Sequence, residues 1–164
     1  MFGSKFYLGL VVLLFSGSVF AAHPAVEGTK MILNDMMGVV NSNKSDSERF
    51  AMTCSFIKNK VLVSSIANEV LGKYKDLARD KAGVNRFRQL APSLFANKIF
   101  GTLDSTRSGS YTVSDNVRER NSATFEVPAS IRIDSKTYNV KMIVYKNGSG
   151  WDLLDGIAFG FSGV

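Results

Sequence analysis

The sequence predicts an α+β fold in which N-terminal helices pack on one face of a C-terminal antiparallel sheet, with an apolar pocket between the layers. Apolar residues recur every three or four positions between residues 25 and 103, a spacing that favours helices. From residue 110 to residue 161, apolar and polar residues alternate, which is typical of strands. Because the helices come first and the strands follow, the order indicates α+β rather than α/β.

The first two helices have clear sequence boundaries. Apolar spacing predicts a helix over residues 25–40, followed by a polar break. Ser45 and Glu48 then form a capping-box pattern, which predicts a second helix over residues 46–59. A third, shorter helix is expected from the apolar residues after position 61, ending near Gly72.

The fourth helix, over residues 82–103, has the broadest apolar stripe, and Pro92 interrupts it. Proline inside a helix removes a hydrogen bond and kinks the chain, so a bend or two abutting helices are expected. The stripe consists of Phe87, Leu90, Ala91, Leu94, Phe95 and Ile99.

Strands are predicted at residues 110–113, 121–133, 136–146 and 151–161, with turns at residues 134–135 and 147–150. Pro128 falls on the polar side of the second strand, where proline implies an edge or a bulge. Asp155 interrupts the apolar row of the last strand.

Residues 1–21 predict a cleaved secretory signal peptide, followed by a single domain over residues 22–164. Lys5 precedes an uncharged run of 17 residues that ends in small residues, which is shorter than the usual membrane span of about 20. An uncleaved anchor is the alternative. Cleavage would leave 143 of the 164 residues with a formal charge of +5 instead of +6. The mature chain is therefore expected outside the cytoplasm, where nucleic acid is not the expected partner.

The composition excludes several kinds of site. Cys54 is the one cysteine and His23 the one histidine, so neither an intramolecular disulfide nor a cysteine zinc ribbon can form. Asp152 and Asp155 are three residues apart and are expected on opposite faces of a strand, which disfavours a paired-carboxylate site. His23 is expected in an exposed N-terminal tail. No cofactor, metal or catalytic residue is predicted, and the chain is not expected to be an enzyme.

A basic stretch begins at Lys73 and continues to Arg88. It fits either an anionic membrane surface or an ordinary solvated helix face. Large apolar side chains in the fourth helix and in the strands could line a ligand cavity or fill a core. A cavity of that composition would suit a lipid.

Two segments carry a family resemblance. Residues 70–74 and 85–94, VLGKY and NRFRQLAPSL, resemble the helical region of the periplasmic phospholipid-binding MlaC-like family. This family is also called the toluene-tolerance auxiliary component of an ABC transporter. Residues 151–162, WDLLDGIAFGFS, resemble its C-terminal signature through Trp151, Asp155, Gly160 and Ser162. The chain differs from the family in stopping at Val164, where members continue into a further helical segment.

The resemblance implies a periplasmic carrier in lipid transport and outer-membrane lipid asymmetry. It would hold phospholipid acyl chains in the pocket and exchange them with membrane-bound transport complexes. Phe87, Leu90, Leu94 and Phe95 would form the helical wall of that pocket. The sheet side and base would consist of Phe125, Val127, Val140, Met142, Val144, Trp151, Ile157 and Phe159.

Two alternatives remain open at the sequence level. One is a non-catalytic envelope docking module of the same fold without lipid cargo. The other is a small pocket enzyme of nuclear-transport-factor-like type, which would need a buried acidic pair beside Tyr138 or Tyr145. The headgroup, the direction of transport and the oligomeric state are not predicted.

Overall fold

Four helices precede five strands in the computed structural model, which describes residues 22–73, 80–103, 106 and 108–156. This order confirms the predicted α+β class. The predicted signal peptide, residues 74–79 of the basic stretch and the strand beyond residue 156 lie outside the described residues. The elements are α1 Pro24–Val40, α2 Asp46–Lys60, α3 Val63–Lys73, α4 Lys81–Leu103, β1 Gly109–Val113, β2 Arg118–Asn121, β3 Thr124–Ile133, β4 Lys136–Asn147 and β5 Gly150–Gly156.

The sheet is antiparallel throughout and is organised around β3. One edge of β3 pairs first with β2 and then with β1, while its other edge pairs with β4, which in turn pairs with β5. Two-residue loops join β3 to β4 and β4 to β5, as predicted. Asp134 and Gly148, in these loops, have φ of 51° and 58°, a left-handed conformation that aspartate tolerates and glycine adopts without cost. The short strand β2 was not predicted as a separate element.

Pro128 lies in an inner strand, so the expectation of an edge strand or a bulge at this position was wrong. The carbonyl of Pro128 accepts a hydrogen bond from the Ser114 amide at 2.9 Å, just where the chain leaves β1. The carbonyl and the nitrogen of a residue in an antiparallel strand point to the same side. Pro128 has no N–H to return to Ser114, so the reciprocal bond cannot form and the pairing with β1 ends here, before β2 begins.

Strand β5 contains a bulge that changes which face its acidic residues occupy. Leu153 is aligned with Val144, but Asp155 is aligned with Ile143, so Leu154 is the extra residue. Beyond the bulge the side chains change faces. Asp155 therefore belongs to the face that looks away from the helices, which explains why it interrupted the predicted apolar row.

Helix α1 packs on the inner face of the sheet and supplies much of the core. Its Ile32, Leu33 and Val40 are at most 1% exposed. The Asn41 side chain bonds both backbone groups of Gly109, which ties the C-terminal end of α1 to the start of β1. The Tyr111 hydroxyl of β1 donates to the α1 residue Asn34 at 2.6 Å. The helix layer is thus fixed to the sheet edge by polar contacts as well as by apolar burial.

Helices α2, α3 and α4 form the rest of the helical layer. The capping box at the start of α2 is present, with the Glu48 carboxylate accepting from the Ser45 amide at 3.0 Å. Helix α4 packs mainly against α2 and α3 and continues through Pro92 as one helix. The chain between α2 and α3 covers the free edge of β5, where the Leu62 amide donates to the Leu153 carbonyl at 2.9 Å.

A fully buried arginine holds these helices to the following loop. Arg49 on α2 is 0% exposed, and its guanidinium donates to the carbonyls of Val39 and Thr106, at 3.4 and 2.9 Å. The Val39 carbonyl is one of the last in α1 and also accepts from the Ser42 amide at 3.4 Å. Arg49 therefore satisfies the end of one helix while fixing the chain that leads into the sheet.

Candidate functional site

The sheet residues predicted to line a pocket lie together on the inner face, opposite α1. Val127 and Val144 are fully buried, Val140 and Met142 are 3% exposed, and Phe125 is 8% exposed. Their alternation along β3 and β4 places them in one surface, because Phe125 is aligned with Val144 and Val127 with Met142. They belong to one apolar cluster with the buried residues of α1, so the interlayer is filled by side chains.

The residues predicted for the helical wall divide between two surfaces of α4. Phe87 and Phe95 are half-buried and pack against the apolar cluster, together with the buried Ala91 between them. Leu90 and Leu94 are 48% and 53% exposed on the outside of the helix. The buried side of α4 therefore includes Phe87, Ala91, Phe95 and Ala96 but not the two leucines that the sequence predicted for it.

An aromatic cluster closes the interlayer at the N-terminal end of α1. The rings of Phe125 and Trp151 meet edge to face with centroids 5.6 Å apart, and the His23 ring lies 5.2 Å from Phe125. His23 is exposed, but it belongs to the start of α1 and not to an N-terminal tail. Its Nδ1 accepts a hydrogen bond from the Ala25 amide at 3.1 Å and so caps the helix. The other two predicted site residues, Ile157 and Phe159, lie outside the described residues.

Trp151 also depends on a glycine in α1. A Cβ placed on Gly28 would lie 2.3 to 2.6 Å from three atoms of the Trp151 ring system, closer than real side chains approach. Gly28 therefore allows the indole to lie directly on the helix backbone. The sequence held no signal for this contact, because a glycine within a predicted helix does not show which residue lies above it.

The outer face of the sheet carries a charged group that the sequence analysis missed. Glu126 is 7% exposed and bonds Arg120 at 2.8 Å, with Lys141 at 3.4 Å from its other oxygen. The hydrogen bond from Arg120, followed by the contacts with Lys141, holds the pKa of Glu126 below its usual value. Ile143, the cross-strand neighbour of Glu126, is 1% exposed on this same face. The alternation rule alone would have placed both side chains at a solvated surface.

A shallow groove of about 390 Å³ also lies on this face, where β1, β3 and β4 meet. Its walls include Thr112, Ser130, Asn139 and Lys141. The Ser130 hydroxyl donates to the Asn139 side chain at 2.5 Å. The four named side chains lie on the outer face, away from the apolar interlayer, so the groove is not the predicted acyl-chain site.

The pocket-enzyme alternative needs a buried acidic pair beside Tyr138 or Tyr145, and the aspartates of β5 do not form one. Asp152 and Asp155 both lie on the outer face because of the β5 bulge, so the expectation of opposite faces was wrong. Asp155 is exposed, and the half-buried Asp152 accepts from the Asn147 side chain at 2.9 Å. Tyr138 is 36% exposed at the far end of β4. In the part of the chain that the structure describes, no group of histidine, cysteine and carboxylate side chains could hold a metal ion.

Comparisons with known proteins leave the family open. No protein-family model matches the chain, and no curated protein matches it in sequence. Among the described residues, no helix is both long and apolar enough to cross a membrane. The MlaC-like resemblance therefore stays a prediction from the sequence.

Proposed function

We propose that the chain is a non-catalytic periplasmic carrier that holds phospholipid acyl chains between the helical layer and the inner face of the sheet. It would be exported by residues 1–21 and exchange lipid with membrane-bound transport complexes. The observation that carries the proposal is the apolar interlayer, in which the five predicted sheet residues form one surface beneath α1. The resemblance to the MlaC-like family supplies the substrate class.

Lipid binding requires the two layers to part, because the interlayer is filled by side chains. Three methionines lie in it, Met36 and Met37 from α1 and Met142 from β4. Methionine side chains are unbranched and adapt to irregular shapes at small cost. Such a lining can rearrange around an acyl chain more easily than a lining of branched residues.

The attachment of α4 suggests which part of the helical layer would move. Helix α4 packs mainly on α2 and α3, whereas α1 lies on the sheet and is tied to β1 through Asn41 and Tyr111. Displacement of α4 would expose Phe87 and Phe95 from the helical side without breaking the bonds between α1 and β1. In this mechanism α1 stays in place and α4 acts as the mobile wall.

The proposal is tested by native mass spectrometry of the chain recovered from the cell envelope without detergent, followed by lipid extraction. A stoichiometric phospholipid is expected. Ala129→Leu adds volume inside the interlayer and is expected to lower the lipid-bound fraction. Ser130→Leu is the matched control, since Ser130 is the next residue of β3 and lies on the outer face. A lipid-free wild-type mass that is unchanged after incubation with phospholipid vesicles would refute the carrier function.

A docking module without lipid cargo is the second candidate, and one observation favours it. The predicted wall residues are already packed against α1, as in an ordinary protein core. A lipid-free protein that still binds an envelope transport complex would support this candidate. In that case the interlayer would serve stability alone.

A further inference from the structure

The outer side of α4 carries an exposed apolar pair in a basic setting. Leu90 and Leu94 are one helical turn apart and are 48% and 53% exposed. Arg86 lies one turn before the pair and Lys98 one turn after it, and both are exposed. These four residues, named here the α4 outer row, follow a four-residue spacing and so share one side of the helix.

The charge of α4 is of one sign over its whole length. The helix contains Lys81, Arg86, Arg88 and Lys98 and no acidic residue across its 23 positions. Asp80, just before the helix, accepts from the amides of Ala82 and Gly83 and so caps its N-terminus. Arg88 turns toward α3, where its Nε donates to Asn68. The outer row therefore presents leucines and basic groups together.

We propose that the α4 outer row is a docking surface for an anionic phospholipid membrane. Apolar side chains next to lysine and arginine suit the boundary between acyl chains and headgroups. The leucines can enter that boundary while the basic groups remain at the anionic phosphates. The positive charge of α4 favours an anionic membrane over an uncharged one, because an uncharged membrane would contact the leucines but would leave the basic side chains without anionic headgroups to bind.

This surface extends the proposed function by giving the carrier a way to reach its lipid source, but it does not depend on bound cargo. Helix α4 would present Leu90 and Leu94 to the membrane, next to the surface on which Phe87 and Phe95 pack against the apolar cluster. Docking would thus act on the wall proposed to move. The membrane contact and the cargo can be measured separately, so each proposal can fail alone.

The test is sedimentation of the envelope-purified chain with vesicles of phosphatidylcholine, with or without phosphatidylglycerol. Binding is expected only with phosphatidylglycerol and should weaken as salt rises. The double variant L90Q/L94Q is expected to lower the partition coefficient about tenfold, because it removes two apolar side chains that enter the lipid. Met31→Gln is the matched control, since Met31 on α1 is also 53% exposed, and it should bind like wild type.

Three results would overturn the membrane surface. They are equal binding to vesicles with and without phosphatidylglycerol, no binding at all, and L90Q/L94Q binding as strongly as the Met31→Gln control. Circular dichroism of both variants establishes that they are folded. A lipid-free wild type that binds phosphatidylglycerol vesicles would remove the cargo proposal and support the docking surface.

Discussion

Substitution of Gly28 by alanine tests the packing of α1 on the sheet most directly. The added Cβ would lie 2.3 Å from Cγ of Trp151, the first ring atom of that side chain. Because Cγ is close to the backbone of β5, it cannot move away as the end of a flexible chain would. The indole also meets the Phe125 ring edge to face, with centroids 5.6 Å apart. Either α1 must lift or Trp151 must leave its position.

Gly38 in the same helix provides the control from which the magnitude follows. It is exposed, and a Cβ built there meets no atom within 4 Å. Gly38→Ala should stabilise the protein by about 0.5–1 kcal/mol through helix propensity. Gly28→Ala gains the same term but loses about 1–3 kcal/mol to overpacking. The difference between the two variants therefore isolates the contact with Trp151 at about 1–3 kcal/mol.

Urea unfolding, followed by circular dichroism, measures this difference in the free energy of unfolding. Both variants should keep the wild-type m-value. The urea midpoint should rise above that of wild type in Gly38→Ala, and the midpoint of Gly28→Ala should lie below that of Gly38→Ala. In a Trp151→Leu background the smaller side chain leaves room, so Gly28→Ala should become nearly as favourable as Gly38→Ala. Equal stability of the two single variants in the wild-type background would refute the close approach of α1 and β5.

Three further predictions concern polar contacts. Ser45→Ala removes the cap of α2 and should lower the free energy of unfolding by about 1 kcal/mol in urea titration, whereas an unchanged value would contradict the capping role. Arg49→Lys cannot reproduce the planar set of donors that serves two carbonyls and should cost about 2 kcal/mol, the order found for hydrogen bonds from charged groups. A loss below about 0.5 kcal/mol, the low end for any hydrogen bond, would show that these bonds are dispensable. Glu126 has a lowered pKa through Arg120, so its contribution to stability is present above the usual value of 4.5 and is lost as pH falls through the lowered pKa. Glu126→Gln should therefore lower the melting temperature at neutral pH, by an amount that shrinks as the pH falls below 4.5, and a pH-independent difference would contradict the ion pairs.

The elements with local signals were predicted well from sequence. The start of α2 depends on a capping box formed by Ser45 and Glu48, which lie within one helical turn. The loop at Gly148 needs a positive φ, which a glycine beside asparagine signals directly. The inner face of β3 and β4 follows from alternation of apolar residues, so Val127 and Met142 were correctly grouped. In each case the deciding contact joins residues close in sequence or repeats with a fixed period.

The parts that sequence did not predict depend on contacts between distant segments. The Leu154 bulge moves Asp155 to the other face, and alternation alone cannot locate an added residue in a strand. Leu90 and Leu94 fit the apolar period of α4, but the surface offered by α2 and α3 covers the side that carries Ala91 and Ala96 and leaves both leucines exposed. Pro128 is tolerated because two short strands share one edge of β3, and β2 itself has too few apolar residues to be recognised.

The filled interlayer limits how a lipid carrier of this design could work. A phospholipid that leaves a bilayer already has its acyl chains out of water, so transfer into the protein gains little apolar burial. The cost of opening the layers therefore decides whether lipid stays bound. Side chains that tighten the interlayer stabilise the lipid-free protein and oppose loading by the same free energy. Membrane docking through α4 would lower the free-energy cost of opening only if the membrane binds the open protein more tightly than the closed protein. Membrane contacts that are equally strong in the open and closed states leave the equilibrium between them unchanged. The proposed carrier thus requires that docking through Leu90 and Leu94 and opening at Phe87 and Phe95 be coupled through one helix.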